Sequence, residues 1–148
     1  MRLRRAFSFV ELLVTMAFIG LLARIAIPRY REMKQRAIAA SIMADVHTIR
    51  LAAFSYYTEH GAFPSEAAPG QLPTELVDGL PDGFSFDRPD FDYDWHVWNV
   101  STGSGTEKLV GITVLLSDPK LLPHLVRTAG AYIPVVTPTQ VTFLVSSS

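Results

Sequence analysis

Behind a short basic opening, Met-Arg-Leu-Arg-Arg-Ala, the chain runs almost without interruption in apolar residues from Phe7 to Ile27, FSFVELLVTMAFIGLLARIAI. A helix of these 21 residues covers about 31 Å at about 1.5 Å per residue, close to the roughly 30 Å hydrocarbon thickness of a bilayer. The run therefore predicts a helix able to span a membrane, and whatever else folds must follow it. The full length of 148 residues leaves room for one ordinary domain. Apolar residues make up 49% and charged residues 18%, against roughly 25% charged in soluble domains, which excludes a disordered chain. With 13 basic and 14 acidic residues the net charge is -1, so no global attraction to nucleic acid follows from charge. The absence of cysteine excludes disulfide scaffolds, cysteine-based zinc or iron-sulfur sites and a thiol nucleophile.

Two ionisable residues interrupt the apolar run, and a charged residue at the centre of a span costs about 2.5 to 3.5 kcal/mol, so each needs a reason. Arg24 lies near the end of the run, where its long stem carries the guanidinium to the headgroup layer. Glu11 has no such reach. If the chain were cut between Ala6 and Phe7, Glu11 would become the fifth residue of a helix opening on a new positive amino group, which would give its carboxylate a partner. An ordinary signal-peptide cut is disfavoured, because the residues around Ala23 to Ala26 spoil the small-residue pattern such a cut requires.

The segment Ala6, Phe7-Ser8-Phe9-Val10-Glu11-Leu12-Leu13-Val14, then Gly20, then Ala26-Ile27-Pro28-Arg29-Tyr30 resembles the N-terminus of type IV pilins and pseudopilins. The resemblance rests on a basic leader, Phe after the cut, Glu at the fifth mature position, Gly at the fourteenth and Pro at the twenty-second. It covers about a fifth of the chain. It departs from the family pattern in Ala6, where Gly is usual, and in Arg24 within a stretch normally uncharged. The resemblance implies a prepilin peptidase that cleaves after Ala6 and methylates the Phe7 amine. It also implies an inner-membrane assembly platform, other pilin or pseudopilin subunits as partners, and a single-pass inner-membrane state with an extracytoplasmic head before assembly into a periplasmic pseudopilus or a cell-surface pilus. Orientation is taken from the resemblance, since Arg29, Arg31, Lys34 and Arg36 after the span balance the arginines before it.

Beyond Pro28 the residues Tyr30, Met33, Ala37, Ile42, Val46, Ile49, Ala53 and Tyr57 recur at helical steps and predict an amphipathic continuation to about Glu59, stopped by Gly61 and Pro64. Such a helix is about 80 Å long and needs partners along its length. Gly20 and Pro28 are its weak points, where it can kink or melt. Residues 62 to 80, AFPSEAAPGQLPTELVDGL, read as a loop with one helical turn near Thr74 to Val77. Phe91 to Val97 alternates, with Phe91, Tyr93, Trp95 and Val97 on a core face and Asp92, Asp94 and His96 on a wet one. Gly103-Ser104-Gly105 makes a turn to a second strand, Leu109 to Leu116. Ser117-Asp118-Pro119 starts a short helix ending near Gly130. Strands at Tyr132 to Val136 and Val141 to Val145 close the sheet, with Pro134 and Pro138 marking an edge.

The fold predicted is α+β: a long N-terminal transmembrane-plus-stalk helix packed on a small antiparallel β-sheet head, as in pilins. Its parts are a leader (1–6), a transmembrane and assembly helix (7–28), an amphipathic continuation (29–60) and a β-rich head (61–148). Many pilins close the C-terminal region with a disulfide; with no cysteine, packing must hold it here, which favours a pseudopilin or a non-classical pilin.

Five aspartates, Asp82, Asp87, Asp90, Asp92 and Asp94, gather within thirteen residues, and a hard cation needs several oxygen ligands. Their spacing is not that of an EF-hand loop, so no metal is assigned; a solvated strand face is the stronger reading, with Asp90, Asp92 and Asp94 the residues a metal would use. His47, His60, His96 and His124 lack metal-binding or catalytic spacing. The aromatics Tyr56, Tyr57, Trp95 and Trp98 lack the basic path that nucleobase stacking would require. No catalytic residue and no cofactor is assigned. The reading is a structural subunit of a type IV pilus or a type II secretion-like pseudopilus, with the membrane a partner and nucleic acid disfavoured. The alternative is an uncleaved signal-anchored membrane protein with an extracytoplasmic binding domain.

Overall fold

The computed structural model describes residues 8–103, 105–130 and 135–147. The first helix, α1, runs over Phe9–His60 and passes Gly20 and Pro28 without a break. A 3-10 turn follows at Thr74–Gly79, then strands β1 (Phe91–Thr102) and β2 (Gly105–Leu116), a 3-10 turn at Pro119–Leu121 leading into α2 (Leu122–Ala129), and strands β3 (Val135–Val136) and β4 (Gln140–Ser147). The four strands form one antiparallel sheet in the order β1-β2-β4-β3. The chain divides into two compact units, residues 1–35 and residues 36–148. The fold is α+β, as the alternating and helical periods predict.

In the unit of residues 36–148, the helix buries Ala39, Ile42, Val46, Ile49, Ala52 and Ala53. These recur at three and four residues and so occupy one face of a 3.6-residue helix. Here the predicted stripe needs correction at both ends: at its far end Tyr57 is exposed, at 38%. Tyr30 and Met33 are exposed, at 70% and 68%, and Ala37 is exposed as well. The five-residue step from Ala37 to Ile42 turns Ala37 off the face that Ala39 occupies. The helix ends where Gly61 takes a φ of +72° and donates its N–H to Tyr57 O at 2.8 Å, a left-handed closure that glycine adopts without steric cost.

The helix face meets a core built by alternation. Phe91, Tyr93 and Trp95 of β1 lie opposite Leu116, Val114 and Ile112 of β2, and Val114 and Ile112 lie opposite Val141 and Phe143 of β4; all are buried. The hairpin runs from Phe91 opposite Leu116 to Thr102 opposite Gly105, longer at the turn than predicted because the polar residues around Lys108 still pair. Between Val110 and Gly111 the β2–β4 register shifts. At Gly111 a Cβ would sit 2.8 Å from the Trp98 ring and 3.0 Å from Phe143 O, so the absence of a side chain lets the indole lie over the strand.

The loop from Gly61 to Pro73 runs along β1, the outer strand on its side of the sheet. Gly70 N–H donates to Tyr93 O at 2.9 Å, and the Trp95 indole donates to Pro64 O at 3.2 Å. The turn predicted near Thr74 is the 3-10 turn Thr74–Gly79, anchored by buried Leu76. The second helix starts as predicted: Asp118 accepts from Lys120 N–H at 2.9 Å, and Leu121, Leu125 and Ala129 are buried. Of the predicted strand from Tyr132 to Val136 the structure shows Val135–Val136 as the edge strand, while Tyr132 and Pro134 lie outside the described residues.

Candidate assembly surface

In the unit of residues 1–35 the sequence that makes a helix also leaves it uncovered. From Phe9 to Ile27 its large apolar residues are exposed, among them Phe9 at 73%, Ile19 at 66% and Leu22 at 65%. This is the one helix among the described residues that is long and apolar enough to cross a membrane. Uncovered apolar surface costs about 25 cal/mol per Å², so a continuous sleeve of this kind requires lipid or other protein around it. Glu11 stands in its first turn, exposed in the single chain. Gly20 lies on open helix surface, with nothing within 4 Å of a Cβ placed there, and Pro28 sits inside the helix. Ala6 and Phe7, where the resemblance sets cleavage and methylation, lie outside the described residues.

The acidic segment of the head is organised differently from the predicted wet face. Asp92 Oδ1 accepts the Arg88 N–H at 3.3 Å. Asp94 is a correction: it is buried, at 3% exposure. Its Oδ2 lies 3.0 Å from His96 Nε2, and His96 Nδ1 lies 2.8 Å from Glu66 Oε1 on the loop. Asp94 Oδ1 is also buried and has no hydrogen-bond partner among the described residues. Alternation had assigned this face to water, but loop residue Glu66 comes over it and His96 fills the remaining space. Burial raises the Asp94 pKa; the His96 charge opposes that shift and Glu66 adds to it. Among the described residues no group of three or more His, Cys, Asp and Glu gathers as metal ligands would, and Asp90, Asp92 and Asp94 are not brought together.

A second polar group fastens β1 to the helix. The Tyr93 hydroxyl donates to Asp45 Oδ2 at 2.9 Å, and Arg88 Nη2 reaches the same oxygen at 3.4 Å. The Arg88 guanidinium also lies over the Phe84 ring at 5.6 Å. Burial, then the Asp45 charge, hold the Tyr93 phenol far above its ordinary value, so it stays a donor. Sequence reading assigned no role to Asp45 or Arg88. Their separation of 43 residues along the chain leaves no local signal. The Glu75 carboxylate accepts from the Ser65 hydroxyl and, at 3.2 Å, from Ser65 N–H, and the Ser65 hydroxyl, before any other cause, lowers its pKa.

Comparison with known proteins gives similarity over about half of the chain. The chain is 33% identical over 86 residues to a fimbrial protein of Pseudomonas aeruginosa, covering 53% of this chain and 56% of that protein. It is 32% identical over 63 residues to a fimbrial protein of Neisseria meningitidis, covering 43% of this chain and 37% of the relative. It is 30% identical over 64 residues to the type IV major pilin protein PilE of Neisseria gonorrhoeae, covering 43% and 38%. The chain thus spans about half or less of the length of these curated relatives. No family model matches it, and no solved structure does.

Proposed function

From the kinship of this chain with the type IV pilins, we propose that it is a structural subunit of a type IV pilus or pseudopilus, polymerised through its N-terminal helix. The observation that carries this reading is the uncovered apolar surface from Phe9 to Ile27 with one acid, Glu11, at its start. In this reading the chain is cut after Ala6 and methylated at Phe7 by a prepilin peptidase. The subunit waits in the inner membrane with its head outside the cytoplasm, and the assembly platform then moves it into a helical bundle of other subunits. Its work is assembly and not catalysis.

Glu11 supplies register. Inside a bundle of apolar helices its carboxylate has no water, and the ammonium of a liberated Phe7 in the same or a neighbouring subunit offsets the cost of burying it. A misplaced subunit would bury both charges unpaired, so the pair selects axial position more than it adds net stability. Gly20 and Pro28 supply compliance, since glycine costs about 1 and proline about 3 kcal/mol in a helix interior, and packing in the filament selects where the helix straightens or opens.

The test combines a variant with mass spectrometry of the N-terminus. Mature protein from its host is expected to begin at N-methyl-phenylalanine 7, and Glu11→Ala is expected to insert in the membrane normally yet fail to enter filaments. Recovery of the chain with Met1 intact would instead establish an uncleaved signal anchor, and normal filament entry by the Glu11 variant would end the register argument.

A further inference from the structure

The contacts of His96 pose a problem of proton counting. Its two ring nitrogens lie 2.8 Å from Glu66 Oε1 and 3.0 Å from Asp94 Oδ2. An ionised carboxylate can only accept, and a neutral imidazole has one N–H. Both contacts are hydrogen bonds only if the trio holds one proton more than its fully deprotonated form: as an imidazolium, as an Asp94 carboxylic acid donating to Nε2, or as a Glu66 carboxylic acid donating to Nδ1. Without it, one nitrogen lone pair faces one carboxylate lone pair at hydrogen-bonding distance.

The surroundings make that proton consequential. The Asp94 side chain is 4% exposed, while those of His96 and Glu66 are 35% and 49% exposed, so one end of the trio is buried in the sheet and the other is on the loop that covers β1. From β2, Gly111 stands opposite His96 and Thr113 opposite Asp94, and neither is ionisable; the Trp98 ring lies beside His96 at 5.1 Å. The charges that act on Asp94 are those of His96 and Glu66. Asp92 and Glu107 fall on the same sheet face by alternation, and Lys108 and Glu75 line, with Glu66, an open cavity of about 580 Å³.

We propose that Glu66, His96 and Asp94 form a proton-operated clasp: one shared proton fastens the loop of residues 61–73 to the edge strand β1, and its loss frees the Glu66 end. The ties that remain are Gly70 N–H to Tyr93 O, the Trp95 indole to Pro64 O, and Ser65 to the Glu75 carboxylate, and only the first two reach β1. The raised pKa of Asp94 is consistent with retention of the proton, and histidine is the side chain whose charge ordinarily changes in the range of neutral pH. Because a sheet edge is a ready site for strand addition, the clasp makes coverage of β1 depend on pH.

Hydrogen exchange on the full chain in detergent micelles reads the loop directly. After correction for intrinsic rates, protection of the amides from Phe63 to Gln71 is expected to fall at least about tenfold between about pH 5.5 and about pH 8.5, and Glu66→Gln is expected to abolish that dependence. Equal protection at both pH values, or wild-type dependence in the Glu66 variant, overturns the clasp. Should the variant fail to fold, ring-nitrogen NMR of wild-type His96 decides: a titration midpoint that coincides with the loop's loss of protection supports the proposal, and separate midpoints overturn it.

Discussion

At single residues, structure and pH are tied most closely through Asp94. A carboxyl group whose folded pKa is raised above its unfolded value stabilises the fold below the unfolded value and loses that contribution as pH rises through the raised one. Urea midpoints of the wild type are therefore expected to decline as pH rises from the ordinary aspartate range through the raised value, and Asp94→Asn to flatten that decline. Glu75 has the opposite sign. Its pKa is lowered, so its contribution is present above the ordinary glutamate value and fades as pH falls through the lowered one, and exposure keeps it small. Gly111 tests packing: Gly111→Ala drives a methyl into the Trp98 ring and Phe143 O and is expected to cost about 1 to 3 kcal/mol in denaturant unfolding. Little of this was legible in the sequence. Asp94 and His96 two residues apart on one strand face were visible, but alternation assigns that face to water, and only folding brings in Glu66 from thirty residues away. Tyr93 was legible as core, whereas its partner Asp45 lies 48 residues earlier and leaves no local trace.

Among elements, α1 and the β1–β2 hairpin were readable because each has a long, strong period: three and four residues from Ala39 to Ala53, two residues from Phe91 to Trp95. The stripe failed at Tyr30, Met33, Ala37 and Tyr57, which are exposed, because a helical period marks a face without saying how far along the helix that face is buried. The buried part of α1 should accordingly be costly to truncate. Ile42→Ala or Ile49→Ala is expected to lower stability by about 2 to 5 kcal/mol by denaturant melting. At the end of the same helix, Gly61→Ala must hold alanine at a φ of +72°, with an expected loss of about 1 kcal/mol. The two-residue β3 was the least legible strand, because Pro134 and Pro138 mark an edge without saying how far the pairing extends.

On the scale of the whole molecule, the two units answer to different environments. Residues 36–148 bury their own apolar residues, whereas the helix from Phe9 to Ile27 leaves its apolar residues uncovered. Leu22→Ala is therefore expected to shift the unfolding of the sheet-bearing unit by less than about 0.5 kcal/mol, while weakening retention in vesicles or filaments, measured by fractionation. The arrangement also supplies its own optical gauge. Trp95 is buried with its indole bonded to Pro64 O, but Trp98 shares van der Waals space with the His96 ring, tilted 34°. Departure of the loop from β1 takes Pro64 O away from the Trp95 indole and admits water to it, so a red shift of tryptophan emission should report that opening with no added dye.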